Sequence, residues 1–158
     1  MLHKMTHLAW LLLSLAVIGA DQFSKYTLTT HLVLGEIRPL SAHVNLVLAH
    51  NYGAAFSLLN RAAGWQRWPL VGVSALIIVA MLGWLGSLDG KRPTLACGLA
   101  LVIGGAVGNV IDRVATGYVV DFLDVFIKTY HWPTFNIADS ALCLGVGLIV
   151  LSLGKRPL

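Results

Sequence analysis

Seven acidic residues occur in 158, and five of them, Asp21, Asp112, Asp121, Asp124 and Asp139, fall near the ends of apolar runs. A carboxylate at the edge of a long apolar segment is costly to ionise, so a group of them at one level is a functional-site hypothesis. Asp139 lies in PTFNIADS, six residues after Pro133 and three after Asn136. Pro133 opposes helix continuation from behind, and Asn136 is a good N-cap. Asp139 then stands one turn inside a helix, where free amides and the dipole favour an ionised carboxylate. The same placement would also let it do no more than complete the cap. Asp121 lies in VVDF, whose apolar residues desolvate its carboxyl and raise its pKa; alternatively it is a loop aspartate beside an apolar anchor. Asp124 is a rival: on a helix it would share a face with Asp121, and in a loop it would be solvated. Spacing does not choose between the two.

A carboxylate at a helix N-terminus and one in an apolar setting have pKa values pushed apart, which supplies a base and an acid at one pH. Two close carboxyl groups also tend to share one proton. Such a pair activates water against a peptide carbonyl without a metal or a covalent intermediate, so no metal and no cofactor are expected. No Gly-Xaa-Ser-Xaa-Gly elbow, His-Glu-Xaa-Xaa-His helix or phosphate-cradling loop occurs. Cys97 and Cys143 lie inside apolar runs without metal-ligand spacing, and are expected to be buried free thiols.

The elements that must position these groups are membrane spans. The chain is 57% hydrophobic and 11% charged, against about 25% charged in soluble domains. Four windows of about 20 apolar residues, 8–26, 69–88, 94–111 and 137–154, predict four transmembrane helices in one domain over 1–158, with outer loops 27–68 and 112–136. The first window resembles a signal peptide, but the bulky Ile18 spoils a cut after Ala20, and it is read as an uncleaved span. Short segments hold Lys4, Lys91, Arg92, Lys155 and Arg156, which places both termini and the 87–93 loop in the cytoplasm. The long loops then face outward. The net charge of +4 comes from basic residues at the ends of apolar runs, not from a patch, so no nucleic-acid partner is expected.

In the first outer loop, residues 44–49 read as a short strand, Asn51-Tyr52-Gly53 as a turn, and 58–68 as an interfacial helix carrying Trp65 and Trp68. The fold class is thus an α-helical integral membrane protein of four transmembrane helices with a small outward-facing β-containing subdomain and an interfacial helix. Asp21 and Lys25 are spaced for a helical ion pair of structural role. On the third span, Ala96, Ala100, Gly104 and Gly108 form a small-residue stripe for close helix packing. Beside it, Gly105, Asn109 and Arg113 place an amide and a guanidinium on one face; a capped helix end with a snorkelling arginine explains them equally well. A channel or transporter would spread polar residues along a path, whereas here they gather at one end of the spans. A non-catalytic scaffold leaves that gathering unexplained.

Five segments in this order, DQFSK (21–25), NYGAAFS (51–57), GGAVGNVIDR (104–113), VVDF (119–122) and FNIAD (135–139), resemble the bacterial lipoprotein signal peptidases, also called type II signal peptidases. The resemblance implies an aspartic endopeptidase of the inner membrane that removes signal peptides from prolipoproteins. It implies a cut just before the diacylglyceryl-modified cysteine. It puts the catalytic pair on Asp121 and Asp139, and so implies a choice against Asp124. Its other motif positions fall on Asp21, Lys25, Asn51, Gly53, Gly105, Asn109, Asp112, Arg113, Asn136 and Ala138. The implied partners are lipid-modified prolipoproteins, membrane lipids and the cyclic peptide inhibitor globomycin.

The charge asymmetry generates a first prediction. In a background with Cys97 and Cys143 replaced by alanine, a cysteine introduced at Asp89 is expected to resist impermeant thiol reagents added to intact spheroplasts. Labelling from the outside would reverse the topology.

Overall fold

The computed structural model describes residues 7–53 and 65–154. Helix α1 (His7–His31) is followed by strands β1 (Ile37–Pro39) and β2 (Val44–Asn51), then by helices α2 (Arg67–Ser87) and α3 (Pro93–Thr116). Strands β3 (Val119–Ile127) and β4 (Tyr130–His131) lead into helix α4 (Ile137–Gly154). All four helices are long and apolar enough to cross a membrane. The strands form one antiparallel sheet in the order β1-β2-β3-β4. Four apolar helices with a small sheet is the architecture expected from the sequence. Of the expected interfacial helix, residues 58–64 lie outside the described residues, and Trp65 and Gln66 form a turn into α2.

Helix α3 is the centre of the bundle. In its apolar window 67% of residues are buried, against 6% in α2, so the other helices turn most of their apolar surface outward to lipid. Pro93 opens α3, where its missing N–H costs no hydrogen bond. Gly117 ends it at φ 91°, a left-handed cap, and the chain turns directly into β3. The small-residue stripe faces α1: a Cβ on Gly104 would stand 2.8 Å from the Ser14 carbonyl oxygen and 2.9 Å from Val17. The neighbouring Gly105 faces α4, where a Cβ would collide with the Ala138 carbonyl oxygen and come within 2.9 Å of Leu142. Without a hydrophobic force between helices in lipid, such close backbone approach is what packing rests on.

The VVDF segment is the start of strand β3, not a loop or a helix. Residues three apart on a strand point to opposite faces, so Asp121 and Asp124 do not share one. Strand β2 carries one extra residue between Leu46 and Ala49, opposite Leu123 and Asp121. This bulge changes which face the β2 side chains take. Before it Asn45 pairs with Asp124 and hydrogen-bonds to it, and after it Asn51 reaches Asp121. Asp124 is therefore buried and hydrogen-bonded, where the sequence had placed it solvated in a loop. The thiols also depart from expectation: Cys97 is half-buried and Cys143 is exposed on the surface of α4. Both are free.

Gly105→Ala is expected to lower the unfolding midpoint and the folded yield in detergent, by an overpacking cost of about 1–3 kcal/mol. Gly147→Ala, where an added Cβ meets nothing within 4 Å, is the neutral control. Equal behaviour of the two variants would remove the close-approach argument.

Candidate active site

Lys25 is the buried cation from which the site is built. Its Nζ lies 2.8 Å from Asp21 Oδ2 and 2.8 Å from Asp112 Oδ2, and donates to Asn109 Oδ1 at 3.2 Å. Its side chain is 4% exposed and those of the two aspartates 0% and 7%, so one ammonium is shared by two carboxyl groups away from water. The expected i, i+4 pair exists, and Asp112 from α3 completes it. Asp21 Oδ1 also accepts the Ala138 backbone N–H at 3.0 Å, which ties α1 to the first turn of α4. Asp112 Oδ2 accepts the Val120 N–H at 3.1 Å and so fixes β3 beside the bundle.

Two amides carry this framework to the two remaining carboxylates. Asn109 accepts from Lys25 and donates through Nδ2 to Asp139 Oδ1 at 2.8 Å. Asn136 is the N-cap of α4: its Oδ1 accepts the Asp139 N–H at 2.9 Å, and its own N–H donates to Asp139 Oδ2 at 3.3 Å. That is a reciprocal capping box with aspartate in the acidic position. The Asn136 Nδ2 donates to Asp121 Oδ1 at 2.8 Å. Asp121 Oδ2 in turn accepts from Asn51 Nδ2 at 3.0 Å. One residue, Asn136, thus holds both aspartates, and capping is only part of what Asp139 does.

The Asn51 turn closes the far side. Asn51 Oδ1 accepts the Gly53 N–H at 3.0 Å, and Arg113 Nη2 donates to the Gly53 carbonyl at 2.9 Å. The two positions that sequence alone left as a helix end, Asn109 and Arg113, both line a cavity of about 680 Å³ together with Asn51 and Asp139. Its walls are otherwise mostly apolar, with Leu70, Ile77, Phe135 and Leu142 among them. Cys143, one turn beyond Asp139, also faces this space. Among the described residues no cluster of three or more His, Cys, Asp or Glu side chains could hold a metal ion.

Burial, followed by the charge of Asp139, raises the Asp121 pKa to about 7, against the opposing pull of Asn51, Asn136 and Lys25. Asp124 behaves oppositely. Burial alone would raise its pKa, but hydrogen bonds from Asn45 and His131 hold it below the ordinary carboxylate value. The twelve positions implied by the resemblance fall in one contiguous region, while Asp124 lies on the other face of β3; Gly105 contributes by its closeness to Ala138. Gln22 was missed. Its Nε2 donates to Asp112 Oδ1 at 2.8 Å and to the Gly108 carbonyl at 3.2 Å, reinforcing the Lys25 cluster. The only sequence signal for it was its place between the two charges of α1.

The family described as Signal peptidase (SPase) II matches residues 13–155. A lipoprotein signal peptidase of Teredinibacter turnerae is 45% identical over 152 residues, covering 94% of this chain and 90% of the relative. One of Cupriavidus necator is 44% identical, covering 96% of this chain and 86% of its own. A bacterial membrane enzyme structure obtained by the in meso method at 2.3 Å resolution superposes with a TM-score of 0.84 at 32% identity. That match covers 94% of this chain and 92% of the solved one.

The raised Asp121 pKa fixes the sign of a stability effect. Between 3.8 and about 7 the unfolded chain loses the Asp121 proton while the folded one keeps it, so this group lowers stability as pH rises through that window. Asp121→Asn removes the effect. In detergent its unfolding midpoint is expected to exceed that of the parent at pH 8, with a smaller gain at pH 4. A parent more stable than the variant at pH 8 would contradict the assignment.

Proposed function

The chain belongs to the signal peptidase II family, and on that premise we propose that Asp121 and Asp139 are its catalytic pair. The protein is a membrane hydrolase that removes signal peptides from prolipoproteins. The observation that carries the assignment is the double tether of Asn136, whose amide holds Asp121 and whose cap holds Asp139. Both carboxylates are thereby kept on one side of the Lys25 framework, and Asp139 lines the cavity.

In this reading the pair holds one proton. Asp121 carries it, and Asp139, at the amide end of α4, takes a proton from water as that water attacks the scissile carbonyl. The tetrahedral oxygen receives the Asp121 proton. Collapse of the intermediate breaks the C–N bond, and the amine leaves with the proton that Asp139 had taken. The carbonyl re-forms and returns its proton to Asp121, so the pair ends as it began. Asp21, Lys25 and Asp112 are the frame, and Asn109 and Asn136 aim the carboxylates. Asn51, Gly53 and Arg113 shape the cavity mouth, while Gly105 and Ala138 let α3 and α4 meet. The cut falls just before the diacylglyceryl-modified cysteine, whose acyl chains lie along the apolar walls and in the surrounding lipid. The four spans form one domain in the inner membrane, with cytoplasmic termini and the site at the periplasmic face. Globomycin occupies the same cavity in competition with substrate.

The test is release of signal peptide from a diacylglyceryl-modified prolipoprotein by purified protein in lipid or detergent. Asp121→Asn and Asp139→Asn are each expected to lower kcat by about 10³-fold or more while remaining folded, and the double variant is expected to be little worse. Activity should follow a bell-shaped pH curve whose alkaline limb falls through about 7, as Asp121 loses its proton. Globomycin should raise the apparent KM. Near-normal cleavage by Asp139→Asn would remove the mechanism.

A further inference from the structure

The face of β3 opposite Asp121 carries a second polar group that the reaction does not use. Asp124 Oδ1 and Oδ2 lie 2.8 and 2.9 Å from His131 Nδ1, and Oδ2 also accepts from Asn45 Nδ2 at 2.9 Å. The Asp124 side chain is 7% exposed and that of His131 52%. Both oxygens of one carboxylate face Nδ1, so that nitrogen carries its hydrogen whether or not the ring is charged. The imidazole also stacks on Phe126, with ring centroids 5.0 Å apart.

This contact stands at one end of a strap. Strand β4 has only two residues, both exposed, and its ladder to β3 pairs Phe126 with His131 and Ile127 with Tyr130. Directly after it, residues 132–135 run along the cavity as part of its wall. The strap is held to β3 at both ends: the Trp132 N–H donates to the Val125 carbonyl at 2.8 Å, and the Phe135 N–H to the Leu123 carbonyl at 3.0 Å. Between them Pro133 has no N–H to offer. The next residue after the strap is Asn136. So short a strand gives little ladder of its own, and a charge-assisted side-chain contact is worth about twice a neutral one.

We propose that Asp124 and His131 are positioning residues for substrate: their contact clasps β4 onto β3 and fixes the 132–135 strap as a wall of the cavity. The proposal rests on the reading of that cavity as the substrate site. The clasp acts on binding and not on the proton transfers, because it touches neither Asp121 nor Asp139 and its carboxylate faces the other side of the strand.

The experiment compares His131→Ala, His131→Asn and Asp124→Asn, reading kcat and KM on the lipid-modified prolipoprotein and amide hydrogen exchange over residues 130–136. His131→Ala is expected to raise KM by about five- to tenfold with kcat within about twofold, as loss of uniform binding does. Exchange at the Trp132 and Phe135 amides should speed up in the same variant. His131→Asn, whose side-chain nitrogen can stand where Nδ1 stood, should restore both readings. Asp124→Asn keeps the side-chain volume but offers one acceptor oxygen to two donors, so it should move KM and exchange in the same direction by less. It carries the test should His131→Ala not accumulate in the membrane. Unchanged KM in both Asp124→Asn and His131→Ala overturns the proposal, as does a fall in kcat at constant KM. Exchange reports the clasp independently of catalysis, so these failures are distinct from retained cleavage by Asp121→Asn or Asp139→Asn, which would sink the catalytic assignment instead.

Discussion

The buried ammonium of Lys25 is the constraint on which the structure is arranged. Moving such a group out of water costs several kcal/mol unless charges and hydrogen bonds replace its hydration. Asp21, Asp112 and Asn109 supply three partners to its three donors. They come from two helices, so satisfying Lys25 forces α1 and α3 together at this level. The approach leaves no room at Gly108, where a Cβ would stand 2.6 Å from Asp21 Oδ2. The partners then have oxygens left over. Asp21 uses one on the Ala138 N–H and Asp112 shares one with the Val120 N–H, so α4 and β3 are bound to the same ion cluster. A charge that seems out of place at the end of an apolar helix is what gathers four elements around one point.

The two other carboxylates are placed by what that cluster leaves unsatisfied. With Asp21 and Asp112 committed to Lys25, the remaining cation beside Asp121 and Asp139 among the described residues is Arg113, and its Nη2 is engaged by the Gly53 carbonyl. Neutral amides therefore do most of the holding. An amide can orient a carboxyl group in either protonation state, since the donor it offers suits any oxygen with a free lone pair. A second lysine in its place would fix both groups as anions. The arrangement thus permits a proton to reside on one carboxyl, in keeping with the raised pKa of Asp121.

Much of this was legible in the sequence because membrane physics leaves so few solutions. Apolar length fixes helices, and a proline followed by an asparagine fixes where α4 begins. Asp139 could be placed one turn inside it without coordinates. The Asp21–Lys25 pair was visible too, but only as a local contact. Its connection to Asp112, 87 residues beyond Lys25, depends on helix packing that no spacing encodes. VVDF was harder, since a short apolar run carries no periodicity that separates strand from loop. Without knowing it for a strand, nothing in the residues distinguished Asp121 from Asp124; only the resemblance did. The bulge in β2, which brings Asn45 to Asp124 and Asn51 to Asp121, leaves no signature in composition. The exposed Cys143 has a related cause: burial rules learned from water do not apply to a helix whose other side is lipid or an apolar cavity.

The position of the cavity follows from the same asymmetry. Helix α3 is covered on most sides, while α2 and α4 turn apolar faces outward, so a space bounded by Leu70, Ile77 and Leu142 lies among side chains suited to hydrocarbon. At one end of that space the spans stop and the sheet begins, with Asn51, Asn109, Arg113 and Asp139 at the boundary. A substrate with a lipid portion and a peptide portion can leave each in its own solvent only at such a boundary. On the proposed assignment hydrolysis there also needs water, which the polar end can admit and the apolar walls exclude. The carboxylates stand at the end of the spans where the sheet begins; an ion cluster such as the one that positions them is costly deep in a bilayer and weakly coupled in open water.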